Sequence, residues 1–156
     1  KADFITMPTQ SAIDMFDVEK RNLSIEAVSN GIDLSRFTPE KAPDSIYATY
    51  NLPKDRPIIT YVGRLDAEKH LPVLMRAFVR VQSVVPKSHL LAHEYGIEPH
   101  VTLTGRVTDE ELEHLHRVGT VFAMPSPAEL QSIATLEAMA SGQPIVAVDA
   151  GALGEL

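Results

Sequence analysis

The sequence predicts an α/β fold with a doubly wound, mostly parallel sheet, and two observations carry this prediction. Short apolar runs rich in β-branched residues alternate with longer segments of helical periodicity, which is the pattern of repeated βα units. The run at residues 57–62, PIITYV, lacks polar alternation, as expected of a strand buried on both faces. Ligands of such sheets bind beyond the carboxyl ends of the strands, so the loops there are the candidate positions for a site.

The first half of the chain contains three predicted strands and three predicted helices. In chain order they are strand 2–6, helix 11–18, strand 23–28, helix 44–50, strand 57–62 and helix 71–85. The second strand ends at Ser29-Asn30-Gly31, which is a turn signal. The third helix has apolar residues at helical spacing, which predicts one face packed on the sheet. These residues are Leu74, Ala77, Phe78, Val81 and Val85.

The second half continues the same alternation. In order it has strand 101–104, helix 108–118, strand 120–124, helix 131–141 and strand 144–148. Thr108 and Glu111, three positions apart, form a predicted capping box that begins the first of these helices. Gly142 provides a left-handed cap after the second helix, and Pro144 prevents its continuation.

The segment between Pro86 and Val101 is too short for its place in this pattern. Residues 87–91 resemble the start of a strand, and residues 92–96 resemble the last turn of a helix. A crossover between parallel strands needs at least about 10–12 residues. We therefore predict an internal gap near residues 90–93, where roughly 15–20 residues are missing and the chain shows a jump between Leu90 and His93.

Composition excludes several classes of function. The net charge of -7 and the lack of a Lys/Arg cluster argue against a nucleic-acid partner. The chain has no cysteine, so it has neither disulfides nor a thiolate metal site. His114 and His116 point to different sides of a helix and cannot share a metal, and no metal site is predicted. No apolar run approaches the roughly 18 residues of a membrane span, and a cytoplasmic location is expected.

Two carboxylates, Glu129 and Glu137, flank the start of the helix predicted at residues 131–141. This helix is apolar nearly all round, so a carboxylate on it needs a hydrogen-bond donor. Glu129 comes just before the helix, where free backbone N–H groups favour an anion. Each residue alone is also compatible with a solvated or dipole-complementing side chain. Together, an anion site and adjacent acceptors for hydroxyls suit a sugar nucleotide.

A second signal is the loop Gly63 to His70, GRLDAEKH, which directly follows the buried strand. Arg64 and Lys69 place two cations near a strand end and a helix start, an arrangement that suits a diphosphate. The loop is not a P-loop, because GxxxxGK[ST] is absent. The alternative is a solvated loop in which Asp66 and Lys69 form a weak surface pair.

Three groups of residues resemble, in the same order, family 4 of the retaining glycosyltransferases, which are group 1 enzymes of the GT-B fold. The first is Asn30-Gly31-Ile32-Asp33 with Phe37 and Pro39 after it. The second is Gly63-Arg64-Leu65 with Glu68-Lys69, and the third is Glu129-x7-Glu137 with the segment EAMASGQPIVAVDAGALGEL. The resemblance covers nearly the whole chain. It implies that residues 1–156 form the C-terminal, Rossmann-like nucleotide-sugar-binding domain of such an enzyme.

The resemblance also implies a role for each site residue. Arg64 and Lys69 are expected to bind the donor diphosphate, and Glu137 to accept from the ribose hydroxyls. Glu129 faces the donor sugar and is the candidate catalytic residue. No covalent nucleophile is assigned, because Glu129 can equally be a hydroxyl ligand that orients the sugar. The donor sugar and phosphate loop is expected at Leu130, Gln131 and Ser132, and the base contact at Arg106 and Val107.

The implied activity is retaining hexosyl transfer from a UDP- or GDP-linked sugar, without a metal or other cofactor. The acceptor, a lipid, saccharide or small molecule, is expected on a missing N-terminal domain, which would also provide any membrane association. The chain alone should therefore turn over little. Two departures from the family pattern are His70, where Gly or Asn is common, and Leu130-Gln131-Ser132, where a Gly-Phe-Gly type segment is common.

Two other functions fit the same fold class. One is a non-catalytic nucleotide-binding or regulatory module. The other is a dinucleotide-binding Rossmann domain, which is disfavoured because no GxGxxG follows any strand.

Overall fold

The computed structural model describes residues 4–15, 24–64, 66–92 and 100–156. The strands are β1 (Ile5–Met7), β2 (Ile25–Ala27), β3 (Ile58–Tyr61), β4 (His89–Ala92), β5 (Val101–Leu103), β6 (Val121–Met124) and β7 (Ile145–Ala147). The α-helices are α1 (Gln10–Asp14), α2 (Asp44–Thr49), α3 (Leu71–Val84), α4 (Asp109–Val118) and α5 (Ile133–Ala140). Short 3-10 turns lie at Ala67–Lys69 and Gly151–Glu155. Most predicted boundaries differ from these by one or two residues, and residues 16–18 of the first predicted helix lie outside the described part.

The central sheet has five strands in the order β5-β4-β3-β6-β7, and every neighbouring pair is parallel. The predicted doubly wound α/β class is therefore confirmed. From β3 the chain first builds outward through β4 to β5, then returns to the other side of β3 with β6 and continues to β7. The strand order thus reverses between β3 and β6, which is where open α/β sheets place their ligands. The strands β1 and β2 pair with each other in a separate parallel ladder.

The helices divide between the two faces of the sheet. The crossovers β3–α3–β4 and β6–α5–β7 run in opposite directions, so right-handed connections place α3 and α5 on opposite faces. The helix α4 contacts both α5 and α2. The main core contains Tyr61, Leu74, Phe78, Leu90, Phe122, Ala123, Met124, Ala138 and Leu153. A second cluster between α2 and α4 contains Ala42, Ile46, Leu52, Ile58, Leu115 and Val118.

The helix α3 buries less apolar surface than its sequence predicts. Leu74 and Phe78 pack on the sheet as expected. The expectation is wrong for Ala77, Val81 and Val85, which are exposed. These three residues share the helical face of Leu74 and Phe78, so their exposure shows that nothing in the described part of the chain covers that section of the face.

The strand β4 does not show the predicted interruption in its described part. Its residues pair in continuous register with β3 through Ala92, including Leu90 with Ile59. The step from Ala92 to His93 and the predicted helical turn beyond it lie outside the described residues. The connection from β4 to β5 spans only residues 93–100, which is fewer than the about 10–12 residues of a usual crossover. The missing segment therefore stays a prediction.

Candidate functional site

A cavity of about 160 Å³ lies at the carboxyl ends of β3 and β6. This is the position where the strand order reverses. One wall comes from the loop after β3 and the other from the loop after β6 together with the first residues of α5. The lining residues are Tyr61, Val62, Gly63, Arg64, Lys69, Met124, Glu129, Ser132, Ile133 and Ala134. Arg64 and Lys69 therefore line one cavity together with the N-terminus of α5.

The loop after β3 is shaped by Tyr61 and Gly63. The Tyr61 hydroxyl donates a hydrogen bond to the Arg64 carbonyl oxygen at 2.9 Å. A Cβ at position 63 would lie 2.6 Å from that hydroxyl, so glycine lets the loop close over the ring. Burial raises the pKa of the Tyr61 phenol above its ordinary value, so the phenol stays protonated and keeps this bond.

The second part of this loop positions Lys69. The Asp66 carboxylate accepts a hydrogen bond from the Lys69 backbone N–H at 3.2 Å and caps the 3-10 turn at Ala67–Lys69. His70 then has φ 49° and ψ 33°, a left-handed conformation. A residue with a Cβ pays roughly 1–2 kcal/mol for this conformation, whereas glycine does not. The family departure at His70 thus lies at a position where the backbone itself favours glycine.

The side chains of Lys69 and Glu129 form an ion pair inside the cavity. Lys69 Nζ lies 2.6 Å from Glu129 Oε1, and the two side chains are only 14% and 10% exposed. Burial at this level requires each charge to have a partner. An ammonium group has three donors, so one bond to Glu129 leaves two for oxygens of a ligand. Arg64 differs, because its side chain is 78% exposed and its guanidinium lies 3.3 Å from Asp66.

The N-terminus of α5 faces the same cavity through Ser132, Ile133 and Ala134. Ser132 is the N-cap residue, but its side chain makes no capping hydrogen bond to the helix backbone. Its hydroxyl instead accepts from Thr135 Oγ1 at 2.7 Å. Backbone N–H groups at such a helix start, together with the helix dipole, favour an anion.

Of the three residues of the predicted donor loop, only Ser132 lines the cavity. Leu130 and Gln131 instead form hydrogen bonds with other segments. Gln131 accepts from the Asn30 backbone N–H at 2.9 Å and donates to Ser29 Oγ at 2.6 Å. The Leu130 carbonyl accepts from the Thr9 hydroxyl at 2.7 Å. These bonds tie the loop before α5 to the segments that follow β1 and β2.

Glu137 lies one helical turn beyond Ile133 and is not among the residues that line the cavity. Its side chain is 15% exposed, and its Oε2 lies 3.3 Å from His116 Nε2. Among the described residues no lysine or arginine pairs with Glu137, and the His116 imidazole would be a cationic partner only when protonated. The contact is short in distance, but the ring nitrogen does not meet the geometry of a hydrogen bond to the carboxylate.

The residues predicted to meet the base follow β5. Arg106 is exposed, and Val107 packs against the α2–α4 cluster. Neither lines the cavity, and their contact with a base stays a prediction. In the part of the chain that the structure describes, no group of His, Asp and Glu could hold a metal ion. No helix among the same residues is long and apolar enough to cross a bilayer.

Two residues of the site region escaped sequence reasoning. The sequence pattern predicts Tyr61 only as part of a strand. A polar aromatic residue two positions before Gly63 could have indicated a side chain that shapes the following loop. His116 was considered only as a metal ligand. Its proximity to Glu137 depends on the packing of α4 against α5, which has no local signal in the sequence.

Residues 44–156 match the family described as glycosyl transferases group 1. The chain is 32% identical over 144 residues to D-inositol 3-phosphate glycosyltransferase of Mycolicibacterium smegmatis, covering 83% of this chain and 33% of that protein. It is 31% identical over 154 residues to GDP-mannose-dependent alpha-(1-6)-phosphatidylinositol monomannoside mannosyltransferase of Mycobacterium tuberculosis, covering 85% of this chain and 40% of that protein. The chain thus spans roughly a third of the length of these curated relatives.

Solved structures have the same fold. Sucrose-phosphate synthase from Thermosynechococcus elongatus superposes with a TM-score of 0.80 at 25% identity, covering 98% of this chain and 42% of that one. Anabaena HepE in complex with UDP and glucose gives a TM-score of 0.79 at 18% identity, covering 99% of this chain and 46% of that one. The structural neighbours are GT-B glycosyltransferases, so the predicted Rossmann-like half of a GT-B fold is confirmed.

Proposed function

The chain belongs to the group 1 glycosyl transferases, and we propose that it is the C-terminal, donor-binding domain of a retaining hexosyltransferase. The donor is a nucleoside-diphosphate sugar, UDP- or GDP-linked. One observation carries the proposal: Arg64, Lys69 and the N-terminus of α5 line a single cavity where the strand order reverses, with Glu129 beside them.

The positive groups of the cavity suit the diphosphate of the donor. When the glycosidic bond to the diphosphate breaks, negative charge grows on the leaving oxygen. Fixed donors that already point at this oxygen stabilise that charge without reorganisation. Lys69 is held by Glu129, and the α5 N–H groups are held by the helix, so both are preorganised. Arg64 is exposed and would close on the phosphates from the solvent side.

Glu129 is assigned to the donor sugar. Its Oε1 is bonded to Lys69, and its second oxygen remains available to a sugar hydroxyl. Glu129 thus connects the diphosphate site to the sugar site through one ion pair. In this arrangement the carboxylate orients the hexose, and its assignment as the catalytic residue rests on that contact. The backbone of Leu130, Gln131 and Ser132 is assigned to the adjoining sugar and phosphate loop.

The nucleoside is assigned to the part of α5 beyond the cavity, where Glu137 faces α4. Glu137 follows Ile133 by one helical turn, and its carboxylate is assigned to the ribose hydroxyls. Arg106 and Val107, after β5, are assigned to the base. The acceptor site is placed on an N-terminal domain outside this sequence, and no cofactor is required. The acceptor is a lipid, a saccharide or a small molecule.

Calorimetric titration of the 156-residue chain with UDP-glucose, GDP-mannose and NAD tests this proposal. One nucleotide sugar should bind better than NAD. Lys69→Ala or Arg64→Ala should weaken the binding of that nucleotide sugar by about 1–3 kcal/mol, the range for a hydrogen bond to a charged group. Arg76→Ala removes an exposed cation from α3, far from the cavity lining, and should change nothing. Preferential binding of NAD, or an equal loss in the Arg76 control, would reject the assignment.

A further inference from the structure

His116 on α4 is the most completely buried ionisable side chain near the site. Its exposure is 0%, and neither ring nitrogen has a hydrogen-bond partner among the described residues. Buried polar atoms are rarely left unpaired, because they lose their bonds to water on folding. A buried imidazole with this much unmet bonding capacity therefore requires an explanation beyond packing.

The ring of His116 is held by aromatic neighbours from two other parts of the fold. Phe37 contacts it edge to face, with 5.6 Å between ring centroids and an interplanar angle of 83°. Phe122 on β6 lies on another side at 5.9 Å and 34°. Such pairs are favourable and restrict rotation of the ring. The ring position is thus determined by β6 and by the segment after β2.

The segment that carries Phe37 is itself bound tightly to α4. Arg36 Nε donates to Glu113 Oε1 at 2.6 Å, and its guanidinium lies 5.7 Å from the Phe37 ring centroid. Arg117 donates to the Arg36 carbonyl at 2.8 Å and also lies 3.6 Å from Glu40. The charged neighbours of His116 on α4, Glu113 and Arg117, are therefore engaged with other partners. Glu113 is therefore not available to the His116 ring, and Arg117 is not available to the carboxylate that faces it.

That carboxylate belongs to Glu137. Its Oε2 lies 3.3 Å from His116 Nε2, so a small rotation of the carboxylate toward the fixed ring would form a hydrogen bond. We propose that His116 is the positioning residue of the ribose subsite: it holds one oxygen of Glu137 and leaves the other for the ribose hydroxyls of the donor. The inference rests on the proposed function, because it requires Glu137 to bind the ribose.

This arrangement explains why a fully buried histidine is tolerated. A carboxylate beside apolar helix residues can turn away toward solvent, and rotating it back on binding costs affinity. The N–H group of His116, fixed on one side of the carboxylate, restricts this rotation before the nucleotide binds.

The test compares UDP with 2′,3′-dideoxy-UDP on the 156-residue chain. The wild-type chain should prefer UDP. His116→Phe keeps an aromatic ring but removes the donor, and should reduce this preference about three- to tenfold, the value of one lost hydrogen bond. His116→Gln, which can still donate to Glu137, should largely retain the preference. His114→Phe, two residues away on the same helix, is the matched control and should behave like wild type.

The outcomes separate the two claims. If neither nucleotide binds the wild-type chain, the proposed function fails. If the wild-type chain prefers UDP and His116→Phe preserves that preference, or loses both nucleotides equally, the positioning role is wrong. Should His116→Phe not fold, the ring nitrogens of wild-type His116 provide the readout by NMR. UDP should shift the Nε2 resonance, and dideoxy-UDP should leave it in place; equal shifts overturn the inference.

Discussion

The helices α5 and α3 cover opposite faces of the same sheet, but only one of them is enclosed. On α5, Met139 is the one large apolar residue that is exposed, and α4, β6 and β7 surround the helix. On α3, Val73, Val79, Val81 and Val84 are all exposed. The enclosed helix carries the cavity at its N-terminus, and the open one contributes no residue to it. The difference shows that the start of α5 and the loop before α3 complete the cavity, and that the exposed surface of α3 takes no part in it.

A right-handed crossover from β4 to β5 would lie on the same face of the sheet as α3, because the connections β3–β4 and β4–β5 run in the same direction across it. The alignment with the Mycolicibacterium smegmatis relative extends over 144 residues but covers 83% of this chain, about 129 residues. That relative therefore has roughly fifteen residues without a counterpart here. We propose that a helix in this crossover is missing from the sequence and would cover part of the exposed surface of α3.

The largest expected effect concerns the ion pair on the enclosed side. Lys69→Met leaves Glu129 buried without a partner and should destabilise the fold by about 3–5 kcal/mol. The double variant Lys69→Met/Glu129→Leu removes both charges and should recover most of that loss. Urea unfolding measures both. A double variant no more stable than the single one would show that the pair itself stabilises the site.

A matched pair of substitutions compares the surroundings of the two helices directly. Ala138 on α5 is fully buried, whereas Ala77 on α3 is exposed. Ala138→Leu should lower the free energy of unfolding by about 1–3 kcal/mol, because the larger side chain overpacks the site. Ala77→Leu should change the free energy of unfolding by less than about 0.5 kcal/mol. Alanine and leucine have similar helix propensities, so the contrast reports packing. Equal effects in thermal unfolding would mean that α3 is covered in solution.

A third comparison concerns the junction between the loop and α3. His70→Gly relieves the left-handed backbone strain and should raise stability by roughly 1 kcal/mol, less the entropy that glycine loses on folding. Val79→Gly, in the middle of the same helix, should instead lower stability by about 1 kcal/mol. A loss of stability at both positions would contradict the strained geometry of His70.

The sequence was sufficient for the fold class and for the strands of the central sheet, because the apolar β-branched runs have strong local signals. It also located the Arg64 and Lys69 loop correctly, since loops after parallel strands meet at one edge. It did not reveal the Lys69–Glu129 pair. These residues are 60 positions apart, and only the adjacency of β3 and β6 brings them together.

The prediction for α3 was wrong for a different reason. Helical spacing shows which residues share a face, but it does not show whether a neighbouring element covers that face. The relation of His116 to Glu137 was missed for the same reason, because it arises from the contact between α4 and α5. Both failures concern the packing of one helix against another rather than the existence of the helices.

The central claim is that a nucleotide diphosphate binds at the N-terminus of α5 and leaves the open face of α3 untouched. Titration of the ¹⁵N-labelled chain with UDP tests it most directly, because backbone amide shifts report contact residue by residue. The amides of Gly63, Arg64, Ile133 and Ala134 should shift together and saturate with one dissociation constant, while those of Val79 and Val84 should stay in place. Shifts centred on α3, with the amides around the cavity unchanged, would contradict it.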